Sequence, residues 1–116
     1  MVERLIELLE TFKKPVIRQG SLGPAEAYPE TFFTFWNNNE TLHSAYDNED
    51  ASAEVAFDVN VYSTDPSTAY DLLEQARALL KGAGFIITTR AYDVASDEIT
   101  HTGRGFQVAY LQTLDL

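Results

Sequence analysis

The stretch AEVAFDVNVYSTDPSTAYDLLEQARALLKGAGF, residues 53–85, decides the fold, because a period of two gives way to a period of 3.6 within three residues. From Ala53 to Ser63, Val55, Phe57, Val59 and Val61 share one side, while Glu54, Asp58, Asn60 and Tyr62 share the other. That alternation predicts a half-buried strand. Asp65 is then placed to cap the first free backbone donors of a helix, and Pro66 suits its first position. Ala69, Leu72, Leu73, Ala76, Leu79, Leu80 and Ala83 form one apolar stripe, as a helix packed on a sheet requires. Gly82 or Gly84 is expected to end the helix by accepting a left-handed backbone, and Phe85 opens another apolar run.

Working outward toward the N-terminus, Val2, Leu5, Ile6, Leu9 and Phe12 recur at helical spacing. Lys13 and Lys14 complement the negative end of that helix, and Pro15 forbids its continuation. Val16 to Gln19 reads as a short strand, and Gly20 to Pro29, with two glycines and two prolines, as a surface loop able to reach a partner. Thr31 to Trp36 reads as a strand with aromatics on both sides: Phe33 and Phe35 on one, Phe32 and Trp36 on the other. One side is expected to meet the helices, and the other to be covered by loops or by a second subunit. Asn37 to Ser52 is polar and reads as a loop, which makes an antiparallel pairing of the flanking strands the simplest connection. Toward the C-terminus, Phe85 to Tyr92 and Gly105 to Leu114 are expected to form a hairpin joined by the acidic loop Asp93 to Thr102.

The resulting order is helix, three strands, helix, two strands. It predicts an α+β domain with a mainly antiparallel sheet of about five strands and both helices on one face. A chain of 116 residues fits one such domain, residues 1–116, burying roughly two thirds of its unfolded surface. There is no cysteine, hence neither a disulfide framework nor a thiolate metal site. The first twelve residues carry Glu3, Glu7 and Glu10 and lack the apolar run of a signal peptide, and no later run suits a bilayer. A soluble protein is expected. The formal net charge of -10 opposes contact with nucleic-acid backbones or anionic membranes, although Arg4, Lys13, Lys14 and Arg18 allow a local basic patch.

Several motifs invite chemistry and are better read as structure. Asp93, Asp97, Glu98 and His101 supply oxygen and imidazole groups in one loop, but their spacing matches neither a calcium loop nor a zinc helix. The same holds for Asp47, Asn48, Glu49 and Asp50. His43 and His101 have no serine in a nucleophile elbow and no cysteine to activate. Gly20 and Gly23, Gly82 and Gly84, and Gly103 and Gly105 fit no phosphate-cradling fingerprint, so turn and cap roles are expected for them. Arg104-Gly105-Phe106 with Val108 and Tyr110 partly matches the aromatic strand of an RNA-recognition domain. It follows both helices instead of lying between them, and Arg104 is expected to pair with a carboxylate. No metal, no cofactor and no catalytic residue are expected.

Three blocks carry a family resemblance: Tyr28-Pro29-Glu30-Thr31-Phe32-Phe33-Thr34-Phe35-Trp36-Asn37; Asp58-Val59-Asn60-Val61-Tyr62-Ser63-Thr64-Asp65-Pro66; and Tyr92-Asp93-Val94-Ala95-Ser96-Asp97-Glu98 with Thr100-His101-Thr102-Gly103-Arg104-Gly105. In this order they resemble the tail-completion proteins of long, noncontractile-tailed bacteriophages and prophages of Gram-positive bacteria. The resemblance implies a tail terminator, or tail-to-head joining protein. This is a nonenzymatic virion subunit, made in the host cytoplasm, that forms a ring, commonly a hexamer, on the tail tube. Such a ring stops tube polymerisation and docks to the head, so the implied partners are copies of itself, the tail tube protein and a head completion protein. No membrane and no specific nucleic acid are implied, although DNA passes through the ring, and acidic side chains facing its lumen would repel that DNA. Phe32, Trp36, Tyr62, Asp93, Asp97, Glu98, His101 and Arg104 are the expected interface positions. The allied readings are another head-tail connector or minor tail or capsid protein, or a small metal- or ligand-binding domain built on the acidic hairpin.

Overall fold

A computed structural model of the chain describes residues 2–18, 29–43, 52–96 and 100–113. The elements run α1 (Val2–Glu10), β1 (Val16–Arg18), β2 (Thr31–His43), β3 (Ser52–Ser63), α2 (Pro66–Gly82), β4 (Ile86–Ile87), β5 (Tyr92–Val94) and β6 (Thr102–Thr113). One sheet in the order β1-β2-β3-β6-β4, with β5 also paired to β6, contains all six strands. Every pairing is antiparallel except that of β1 with β2. The class is α+β, with both helices on one face.

Strand β3 lies at the centre because its odd-numbered residues are apolar and its neighbours match it in register. Val61 sits opposite Phe33 and Arg104, Val59 opposite Phe35 and Phe106, and Phe57 opposite Asn37 and Val108. Phe33, Phe35, Phe57, Val59, Val61, Phe106 and Val108 are buried beneath Leu5, Leu8 and Leu9 of α1 and Ala69, Leu72, Leu73, Ala76 and Leu80 of α2. A side chain of this size, fully removed from water, contributes roughly 1.5–3 kcal/mol.

Local chemistry sets the ends of α2. Asp65 lies outside the helix with its side chain accepting from Ser67 N at 3.2 Å and from Thr68 Oγ1 at 2.9 Å, and its own N–H donates to Ser63 Oγ at 3.1 Å. At the far end Gly84 takes a φ of 99°. Phe85 N then donates to Leu80 O at 3.0 Å and Gly84 N to Lys81 O at 3.3 Å, the pair of bonds that closes a left-handed helix stop. Gly84, not Gly82, supplies the conformation. Helix α1 ends two residues short of Phe12, whose N–H reaches back only three residues, to Leu9 O at 3.2 Å.

Two expectations are corrected. Residues 37–43 are not loop but the outer half of β2, paired with β3 out to His43 and Ser52, with a register shift between Asn37 and Asn39. The run Phe85 to Tyr92 is not one strand, which makes the sheet six-stranded. Ile87 pairs with Val108 and Tyr92 with Gly105, so the two segments spend more residues than β6 offers between those points. The excess bends out, where the Thr89 hydroxyl accepts from Gln107 N at 2.9 Å and Thr88 N donates to Gln107 O at 3.0 Å. Asp93 consequently belongs to β5 and Thr102 to β6, and the acidic loop is shorter than expected. The loop residues 20–28, the cluster 47–50, Gln19 and Leu114 lie outside the described residues.

Strands of twelve or thirteen residues extend about 40 Å, whereas a seventeen-residue helix extends about 25 Å. The molecule is accordingly elongated, 53 × 29 × 22 Å with a radius of gyration of 15.6 Å, against about 13 Å for a compact chain of this length. Among the described residues no helix is long and apolar enough to cross a membrane. Replacing the capping residue, Asp65→Ala, is expected to cost about 1 kcal/mol, read as a lower urea midpoint with an unchanged slope.

Candidate functional site

The face of the sheet away from the helices has no layer over it among the described residues. Its cross-strand rows follow from the register: Phe32, Tyr62 and Gly103; Thr34, Asn60 and Gly105; Trp36, Asp58 and Gln107; Ala56, Ala109 and Ile86; Glu54 and Leu111. Strand β5 adds Val94 beside Gly103 and Tyr92 beside Gly105. The rows differ in how they treat water.

At one end the face is plugged. Phe32 stacks on Tyr62 with ring centroids 5.2 Å apart, and the His101 ring meets Phe32 edge-on at 5.9 Å. His101 Nε2 lies 2.8 Å from Pro29 O and Nδ1 lies 3.0 Å from Thr100 Oγ1, which ties the start of β6 to the start of β2. Phe32 and Tyr62 are buried in consequence. Below them, Thr31 and Ser63 share a hydroxyl–hydroxyl bond of 2.9 Å.

The next row is polar and tightly packed. Asn60 is buried and its Nδ2 donates to Thr34 Oγ1 at 3.4 Å. Gly103 and Gly105 are not turn residues. A Cβ on Gly105 would overlap Asn60 Oδ1 and lie 2.9 Å from Val94 Cγ2, and one on Gly103 would lie 2.8 Å from Tyr62 Cε1. Glycines two apart in a strand, facing an aromatic and an amide, are the signal that could have revealed this.

Farther along the face is bare. Trp36, Ile86 and Leu111 are 45%, 55% and 57% exposed, around a floor of Ala56 and Ala109. Asp58 accepts from Asn38 Nδ2 at 2.9 Å. Tyr92 is half-buried beside this zone, and burial pushes its phenol above the ordinary range. The Asp58 charge adds to that rise, and a hydrogen bond with Gln107 opposes it. Ile86 and Leu111 were not singled out from sequence, although each is the alternate residue of an apolar strand.

The described members of the expected interface set thus fall in different places. Phe32, Tyr62 and His101 make the plug, Trp36 stands on the bare zone, and Asp93 and Arg104 lie on the helix side. There Arg104 donates to Asp93 at 2.8 Å and its guanidinium lies 4.6 Å from the Tyr70 ring of α2. Asp97 and Glu98 lie outside the described residues. Among the described residues no three histidine or carboxylate groups gather as metal ligands. Beside the α1 start, Val2, Glu3, Arg18, Asn37, Glu40, Val55 and Phe57 line a shallow polar cleft.

No protein-family model matches the chain, and no curated protein matches it. Among solved structures, its fold is similar to a chain of the virion of a native gene transfer agent particle. The TM-score is 0.59 at 17% identity, over 95% of this chain and 84% of that one.

Gly105→Ala is expected to lower stability by about 1–3 kcal/mol, as overpacking does, measured by urea unfolding. The raised Tyr92 phenol favours the folded state fully below the ordinary tyrosine value of about 10, and that contribution is lost as pH rises through the folded value. Stability should therefore fall between pH 9 and pH 11 more steeply for the natural chain than for Tyr92→Phe, in parallel denaturant titrations.

Proposed function

We propose that the chain is a structural virion protein that assembles as a ring on the end of a noncontractile phage tail tube, stops its polymerisation and joins tail to head. The observation that supports this reading is the fold likeness, over 95% of the chain, to a chain of a gene transfer agent virion. The three sequence blocks resembling tail-completion proteins supply the more specific assignment.

The role is one of surfaces. A bare sheet zone bearing Trp36, Ile86 and Leu111 suits packing against other protein, because exposed apolar area of this kind is removed from water on assembly. In this reading the partners are further copies of the chain, the tail tube protein and a head completion protein, and no bond is made or broken. DNA passes through the ring without being specifically held.

Deleting the gene from its phage separates this role from that of an allied head connector. Electron microscopy is expected to find tails of uncontrolled length. Tails of normal length that fail to attach to heads would assign the chain to the head side of the joint.

A further inference from the structure

Charge is unevenly placed along this chain. Between Gln19 and Ala76 there is no lysine or arginine, yet eleven of the eighteen acidic residues fall there. Strands β2 and β3 lie inside that segment, so the bare zone around Trp36 and Leu111 has only acids on its β2 and β3 side, with Asp58 beside Trp36 and Glu54 opposite Leu111. Four of the eight basic residues, by contrast, lie within the first eighteen positions. Of these, Lys13 and Lys14 are exposed at the turn between α1 and β1.

That turn is held in place. Lys13 N donates to Glu10 O at 2.9 Å, Phe12 packs on Phe33 with centroids 5.7 Å apart, and Phe33 N donates to Pro15 O at 2.9 Å. Lys13 itself has a φ of 60°, a left-handed conformation that glycine or asparagine adopts with less strain. A lysine there places an exposed cation at a backbone position that costs the fold something, and strain of this kind points to a use.

The two surfaces are displaced along the strands and lie on different sides of the sheet, the lysine turn joining the helix layer to β1 and the bare zone lying on the reverse face. Parallel pairing of Val16 with Phe33 places the lysine turn near the start of β2, whereas Trp36 and Asp58 lie near the middle of the strands and Glu54 and Leu111 lie level with Thr41 near the end of β2. They cannot meet within one molecule. Each is complementary to the other on a second molecule, and contact between two different patches is head-to-tail, which closes into a ring or continues as a filament.

We propose that the Lys13–Lys14 turn of one copy docks on the bare zone around Trp36 and Leu111 of the next copy, beside Glu54 and Asp58. The occupant is a second copy because this chain itself carries, on a separate part of its surface, the charge opposite to that of Glu54 and Asp58. This deepens the ring reading and rests on it.

Two charge-reversed variants test the contact: Lys13→Glu with Lys14→Glu, and Glu54→Lys with Asp58→Lys. Sedimentation velocity at low salt, with and without added tail tubes, is expected to show assembly of the natural chain that weakens with salt. Each variant alone should need at least tenfold more protein to assemble, and an equimolar mixture of the two should assemble like the natural chain. A monomeric natural chain under every condition would bring down both this contact and the ring reading. Assembly of the lysine-reversed variant at the natural concentration would remove this contact alone. If the second variant fails to fold, Lys13→Gly with Lys14→Ser decides. It should raise the melting temperature by relieving residue 13 while weakening assembly, and unweakened assembly would overturn the proposal.

Discussion

Long strands beneath a single layer of helices constrain everything else in this molecule. Strand β3 pairs with β2 and β6 over its whole length, and α1 and α2 bury the side bearing Val59 and Val61. Among the described residues the reverse side of the same strands has nothing comparable, yet its backbone is committed by the same pairings. A one-residue shift would carry Val59 and Val61 out to solvent and Asn60 into the apolar core, so register fixes both faces together. Along its length the reverse face meets water in three ways: an aromatic plug at Phe32, Tyr62 and His101; a polar row of Thr34 and Asn60 pressed against glycines; and the bare zone around Trp36 and Leu111.

The parts of this plan that depend on strong periodicity were legible in the sequence. Strand β3 begins within a residue of the expected position, and Asp65 caps α2 where its side chain and the following proline indicated. What escaped was structure specified by partners. Asn37, Asn39 and Glu40 have poor intrinsic preference for a strand, but β3 offers them a ladder around the bulge at Asn38, and tertiary pairing overrides composition. Gly103 and Gly105 looked like punctuation because glycine usually marks turns, whereas here the absent side chains admit Tyr62 and Asn60. Arg104 and Asp93 were grouped with His101 by closeness in sequence, although alternation along β6 sends Arg104 to the helix side and leaves His101 over Phe32.

The candidate interface was therefore only partly readable. Trp36 was visible as an aromatic on the side of its strand opposite Phe33 and Phe35, without the sequence saying which side meets the helices. Ile86 and Leu111 were hidden among ordinary apolar alternation, and only the register brings them onto the same face as Trp36. Charge placement was legible from the sequence alone, but its meaning depended on knowing that the lysine turn and the acid-flanked zone lie on different sides of the sheet. The contact proposed between them joins two different patches and is therefore head-to-tail, since a self-complementary contact would need one patch to match itself.

The central claim is that this molecule works by packing several copies of itself on the end of a tail tube. Electron cryomicroscopy of purified tail tubes incubated with the chain tests it most directly. The account predicts a closed ring of several copies at one end of each tube, with neighbouring subunits in contact. Tubes that bind no protein, or that carry a single isolated copy, would contradict it.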